Sequence, residues 1–442
     1  MPSNSEQRPS SATITLEPGT LSEKDDHEKS TSIVDNTSPD LKDETDEPPI
    51  PKIPNGGLRA WIVVLAACLF LDGHVHNVWS TSHTIFQVFQ TYYETTLLKD
   101  ESPSTIAWIG SIQYALIFMT GLPAGRLFDK GYLRLPLGIA SVSLIVATFL
   151  VAQCKVYWEF LLCQGLVIGL ASGFIMIPMV NVISQWFTTK SGIAFGYVGM
   201  GSSLGGVVFP VVAKRLVSEI GFPWTMRVIG FIQIFLTLII NLGAGRNLPS
   251  KKLLPPLSLK PFGIPAFTAY CAGGLTTFLG LYTVLTYVDL SAEAAGLDKN
   301  FSFYLVAVAN AASTVGRFAG GYFADRIGSL NIIIPSTLVA SILTYVWPFS
   351  SSVGGFTIVS IIYGAASGGF IALFAVPLLG MGDIRELGTR MGLFLSVISI
   401  GALAGPPISG AINEATGGFV LVGVYAASLV ANDAPYAGTV WA

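Results

Sequence analysis

The sequence predicts an all-α membrane protein: twelve transmembrane helices in two six-helix bundles, the last helix short. Three observations carry this. Of 442 residues 51% are hydrophobic and only 12% charged, with mean hydropathy +0.62, whereas soluble domains are about 25% charged. Apolar runs approaching the roughly 20 residues a membrane helix needs recur along the chain, six before and six after a polar, basic, proline-rich stretch, GRNLPSKKLLPPLSLKP, at 245–261. Short motifs also recur in one order: GRLFDKG at 125–131 with GYFADRIG at 321–328, GLASG at 169–173 with GAASG at 364–368, and GSSLG at 201–205 with GALAG at 401–405, at offsets of 196, 195 and 200. Such spacing describes two parallel halves related about an axis along the membrane normal.

Residues 1–53 come first, as an acidic tail. Positions 1–50 hold 12 acidic and 4 basic side chains, leaving 20 basic and 15 acidic in the remainder. Rich in Ser, Thr, Pro and acids, the tail cannot offset its chain entropy by burial and is expected to be disordered. It shows no signal-peptide pattern, so the first apolar helix is expected to direct insertion. The first bundle, 54–244, then holds runs at 60–81, 104–127, 135–153, 157–180, 193–217 and 224–244. After the linker at 245–261, the second bundle, 262–442, holds runs at 263–287, 301–324, 330–348, 354–379, 389–413 and 418–431. The last offers about 14 apolar residues before Asn432, Asp433 and Pro435, short of a full span. Either the helix continues through NDAPYAGTVWA or the chain is cut short there.

Lys and Arg set the orientation. With a cytoplasmic start, 13 lie inside and six outside, and three of those six, Lys214, Arg215 and Arg227, cluster at the turn between the fifth and sixth spans. A plasma-membrane carrier is expected, with the vacuolar membrane as the rival. The four cysteines fall in or beside apolar runs without CxxC spacing, so neither a disulfide framework nor a zinc site is implied.

Several stretches resemble the major facilitator superfamily, and within it the fungal monocarboxylate transporter-like group. GRLFDKGYLR resembles that group's loop between the second and third helices. TVGRFAGGYFADRIGSLN at 314–331 is similar to its eighth helix and following loop, and WFTTKSGIAFGYVGMGSSLGGVVFP at 186–210 to its fifth-helix signature. PNGGLRAW at 54–61 resembles the lead-in to its first helix, with Asn55 where that motif has Asp. The resemblance implies the major facilitator fold and a secondary active transporter that moves a small organic anion by alternating access. The same group includes exporters of fungal secondary metabolites. It also implies a conformational latch at Gly125, Asp129 and Lys130 and at Gly321, Asp325 and Arg326. Physically, each Asp at a cytoplasmic helix end can cap a neighbouring helix N-terminus and pair with a base. Two departures weigh against the animal lactate mechanism. No Lys lies between Arg59 and Lys99, and Ser191 stands where the family has a basic residue.

Arg317 lies about eight residues from the cytoplasmic end of its helix, on the order of 12 Å into the layer at 1.5 Å per residue. A cation there costs at least about 2.5 kcal/mol unless it is paired or faces water. It resembles the family's carboxylate-engaging arginine, while the family's acid one turn earlier is Ser313 here. In LDGHVHNVWSTSH at 71–83, Asp72, His76, Trp79 or Ser80, and His83 make one helical stripe, with His74 off it. Three readings are open: a metal site, which lacks a third ligand; proton coupling by Asp72 and His76; and polar lining that bonds substrate or water. Asp72 is also expected to be the counter-charge of Arg317. Gln164 and Asn310 are further substrate candidates among Gln113, Asn181, Gln185 and Gln233, each as readily an interhelical hydrogen bond.

No cofactor or metal is expected, and no nucleic acid; the partners are a small solute, the lipid bilayer and protons, and the chain is expected to be monomeric. The GxG patterns follow no strand and there is no Walker-type loop, so the chain is not an ATP-driven pump. No nucleophile, base and orienting group fall together, so an enzyme is not expected. A non-transporting nutrient receptor is the alternative of another class; a tail of 50 residues is too short for a folded signalling domain.

Overall fold

A computed structural model describes residues 55–70, 89, 92–245, 259–383 and 386–431. Every regular element among them is helical. In chain order they are α1 Leu58–Phe70, α2 Pro103–Met119, α3 Gly121–Asp129, α4 Arg134–Val151, α5 Tyr157–Trp186 and α6 Ser191–Gly243. Then follow α7 Pro265–Ala294, α8 Lys299–Ile327, α9 Leu330–Val346, α10 Val353–Leu373, α11 Leu387–Thr416 and α12 Val420–Ala431.

These bounds track the hydropathic runs, though α5 continues to Trp186, six residues past the expected 180. α2 and α3 form one span with a turn at Thr120. α6 carries two spans that Gly221 separates, with φ 76° and ψ 163°, a conformation open to glycine and strained for other residues; Pro223 then starts the second span, where a missing N–H costs nothing. α7 runs to Ala294, beyond the expected 287, because it breaks at Leu281 and Tyr282 and resumes. At the break the Tyr363 hydroxyl donates to the Leu281 carbonyl. The first run is described only as far as Phe70.

The exposed surface is that of a lipid-facing bundle. Along α4, Leu135, Ile139, Val142, Val146 and Leu150 are exposed at helical spacing, while Leu137, Leu144, Ala147 and Thr148 are buried. Polar atoms turn inward instead and bond between helices. Thr148 Oγ1 donates to Gln233 Oε1 at 2.7 Å, and Asn241 Nδ2 to Ser141 Oγ at 2.9 Å, joining α4 to the second half of α6. α12, though only 12 residues, is docked on α9 by Ser341 Oγ donating to the Ala427 carbonyl at 2.8 Å.

Trp186, at the end of α5, gathers three segments. Its carbonyl accepts from Asn55 N at 3.1 Å, and its indole N–H donates to the Gly245 carbonyl at 3.0 Å. Arg59 lies over its ring, 5.9 Å from the centroid. Asn55, with φ 53°, caps the α5–α6 loop by accepting from Thr188 N at 2.7 Å and Thr189 N at 2.9 Å.

No disulfide joins any of the four cysteines. In the turn between α4 and α5, burial and the neighbouring Cys163 push the Cys154 thiol up, which disfavours the reactive thiolate.

The most extensive packing is α8 on α10, followed by α8 on α6. It depends on absent side chains: a Cβ on Gly316 would sit 1.9 Å from the Ala365 carbonyl oxygen, and one on Gly364 2.1 Å from that of Ala309. Gly316→Val and Gly364→Val should therefore each destabilise the protein by about 1–3 kcal/mol or more, seen as a lower melting temperature in detergent. Gly354→Ala, where nothing lies within 4 Å, should melt as the parent does.

Candidate functional site

Arg317 is buried on α8 against α6. Its Nη1 donates to the Gly199 carbonyl at 2.7 Å and to Ser202 Oγ, and its Nε donates to Ser313 Oγ at 3.2 Å. Ser203 Oγ also donates to Ser313 Oγ at 3.2 Å. Ser202, Ser203 and Ser313 are all buried. Every hydrogen-bond acceptor around the guanidinium among the described residues is thus a neutral oxygen.

Asn310 lies two turns from Arg317 on the same helix, and its Nδ2 donates to the Gly206 carbonyl at a long 3.5 Å. Gln164 is in the π-helical stretch Leu161–Ile168 of α5, where its Oε1 accepts from the Tyr93 hydroxyl at 2.8 Å. No hydrogen bond joins it to Arg317 among the described residues. Asp72 and His76, with His74 and His83, lie outside the described residues, and the expected Asp72–Arg317 pair lies outside them with it.

The two loop aspartates occupy matching places. Asp129, at the end of α3, accepts from Gly388 N at 3.0 Å, from Thr389 N at 2.7 Å and from Thr389 Oγ1 at 2.7 Å. Asp325, near the end of α8, accepts from Gly192 N at 2.7 Å and Ile193 N at 2.9 Å. Each carboxylate therefore sits at the N-terminus of a helix from the opposite half, where unpaired N–H groups and the helix dipole favour negative charge. The numbers repeat at the same offset of 196: 129 becomes 325, and 192–193 become 388–389. Gly125 and Gly321 make the approach possible, since a Cβ on either would lie 2.0 Å from the Gly388 carbonyl oxygen or 2.4 Å from that of Gly192. The bases do not do the same thing on the two sides. Arg326 stacks over Tyr322, 4.1 Å from the ring centroid, and Lys130 is an exposed C-cap beyond α3.

Sequence reasoning missed several residues here. Gly199, Ser202 and Ser203 lie in or beside GSSLG, valued above for repetition when its two serines were a polar signal facing α8. Tyr114 and Phe118 of α2 meet Tyr282 and Phe278 of α7 in T-shaped pairs at 5.5 and 5.6 Å, a geometry that stabilises aromatic contacts beyond their buried area. Arg390, near the start of α11, is buried and donates to the Asp383 carbonyl at 2.6 Å.

The family model described as Major Facilitator Superfamily matches residues 80–378. The chain is similar to the MFS-type transporter dbaD of Emericella nidulans, 32% identical over 386 residues and 85% of each chain. It is 33% identical to the aspyridones efflux protein apdF of the same organism, covering 85% of this chain and 76% of that one. To the fujikurins efflux protein of Gibberella fujikuroi it is 37% identical, covering 89% and 84%. In three dimensions it is similar to FucP, a Major Facilitator Superfamily transporter, with TM-score 0.66, 16% identity, and coverage of 86% of this chain and 98% of that one.

Asp325→Ala should speed amide exchange at Gly192 and Ile193, and Asp129→Ala at Gly388 and Thr389, each by roughly tenfold or more, given about 1.5–3 kcal/mol for a charged hydrogen bond. Hydrogen-exchange mass spectrometry reads both helix starts at once, and unchanged protection would show that the carboxylates do not hold them.

Proposed function

Because this chain belongs to the Major Facilitator Superfamily and is a multi-pass membrane transporter, we propose that it exports a weakly acidic organic metabolite by alternating access, with Arg317 receiving the anionic group. The observation that carries this reading is a buried guanidinium between the two halves whose acceptors among the described residues are all neutral. Such a cation gains from a carboxylate or enolate that can bind its planar fork in two places. Two relatives named for efflux favour export over uptake of a small monocarboxylate. So does the absence of a lysine between Arg59 and Lys99.

The remaining parts take roles consistent with that cycle. Asp129 and Asp325, with Gly125 and Gly321 beside them and Lys130 and Arg326 at the same ends, form the cytoplasmic latch that parts when the carrier turns inward. Asp72 and His76 carry protons whose entry drives export. Asn310 contacts substrate on the outer side of Arg317, whereas Gln164, already held by Tyr93, is a structural residue. The protein works as a monomer in the plasma membrane.

In cells loaded with a panel of labelled aliphatic and aromatic acids, the chain should lower retention of at least one of them, and Arg317→Ala should cut that efflux at least about tenfold, the effect of about 1.4 kcal/mol at the site. Wild-type efflux through Arg317→Ala would overturn the assignment. Proton-driven export should be faster at external pH 5 than at pH 7, because the inward proton gradient is steeper at the lower pH. Asp72→Asn should flatten that difference, and an unchanged pH response would remove Asp72 from the coupling.

A further inference from the structure

The guanidinium of Arg317 also ties the two halves together, through Nη1 to Gly199 and Ser202 of α6. We propose that Ser202 and the Gly199 carbonyl are a built-in stand-in for the transported anion, so that an anion binding Arg317 displaces them and removes the charged tie between α6 and α8 at mid-depth, leaving the neutral Ser203–Ser313 bond there. The proposal rests on the reading of Arg317 as the anion subsite.

The donor inventory leads to it. A guanidinium has five N–H groups: one on Nε and two on each Nη. The Nε hydrogen is held by Ser313, which Ser203 anchors in turn. Both Nη1 acceptors come from α6. A carboxylate binding in two places must therefore take either the Nε–Nη2 edge, at the expense of Ser313, or the Nη1–Nη2 end, at the expense of an α6 acceptor. The first is guarded by two serines in series, so the second is the open route. Anionic oxygens are stronger acceptors than a hydroxyl or an amide carbonyl, so the exchange favours the ligand. The Arg317 stem also lies on Gly199, whose absent Cβ would be 3.0 Å from Cδ.

The position of this tie makes its release consequential. On the cytoplasmic side α6 and α8 are joined by Asp325 at Gly192 and Ile193. On the outer side they are joined by the long Asn310–Gly206 contact and by Lys214, whose Nζ lies 4.1 Å from the Phe303 ring centroid. Arg317 lies between these two ends, with the neutral Ser203–Ser313 bond beside it. The other half has no equivalent: 196 residues earlier stands Gly121, which meets Gly392 backbone to backbone. Ser202 is thus a positioning residue on one seam, sensing occupancy through Arg317.

The test uses the purified full chain in detergent with benzoate, hexanoate and lactate, each beside its uncharged amide. Ser202→Ala should bind at least one carboxylate about tenfold more tightly than wild type, because a competitor for Nη1 is gone, with the amides unaffected. A packing role alone would lower stability and leave affinity unchanged or weaker. Ser202→Thr, which keeps the hydroxyl, should match wild type, and Ser202→Asp, which pairs with Arg317 permanently, should lose carboxylate binding while eluting as a monodisperse protein. In wild type, the bound carboxylate should raise hydrogen exchange across residues 199–206. If carboxylates bind through Arg317, as Arg317→Ala reports, but Ser202→Ala binds them no better or Ser202→Asp binds them normally, the stand-in is wrong and the anion subsite survives. If no carboxylate binds, or Arg317→Ala binds them like wild type, the subsite itself is wrong and the stand-in falls with it.

Discussion

Helix backbones in a bilayer are held by how closely they approach, because lipid tails are as apolar as the side chains and supply no water-driven force between helices. The rest of this structure depends on that constraint. α8 lies against α10 where Gly316 and Gly364 leave room for facing carbonyls, and the halves meet where Gly125 and Gly321 do the same. Polar side chains finish what the glycines begin, as at Thr148–Gln233 and Ser141–Asn241. Leucines and isoleucines line both sides of the helices, with Leu135, Ile139 and Leu150 facing outward while Leu137 and Leu144 pack inside.

The two halves repeat one plan and depart from it where chemistry is needed. Asp129 and Asp325 each reach across to a helix N-terminus of the other half, at matching residue numbers. One turn or two deeper the match fails: Gly121 stands on one side and Arg317 on the other. A duplicated scaffold tolerates a buried cation at one of two equivalent places because the second copy keeps the close glycine contact. The serines of α6 supply the neutral oxygens that let Arg317 stay buried.

Much of the architecture was legible in the sequence. Hydropathy alone located nearly every described helix to within a few residues, since each span must present an apolar surface over a fixed thickness. Hydropathy placed the gap between the runs at 193–217 and 224–244, where Gly221 turns the chain, but a break that leaves polarity unchanged does not register in it, so nothing signalled that α7 would break and run on to Ala294. At the site, Arg317 stood out because depth makes charge expensive. Ser202 and Ser203 did not, since small hydroxyls are cheap in membrane helices and mean little until their facing neighbour is known. Gln164 had equal claims as ligand contact and as interhelical bond from its sequence position, and its partner Tyr93 lies 71 residues away. The histidine stripe at 71–83 lies outside the described residues, so its reading stands on spacing alone.

Trp186 has a consequence of another kind. Its carbonyl holds the chain where the first half begins, at Asn55, and its indole holds the chain where that half ends, at Gly245. Start and finish of the unit are therefore neighbours on one face. A module whose ends meet can be copied in tandem by a short bridging peptide, without rethreading any helix, and the linker that begins at 245 is such a bridge. The same closure means the join between copies can lengthen or shorten over generations while the packed helices stay as they are.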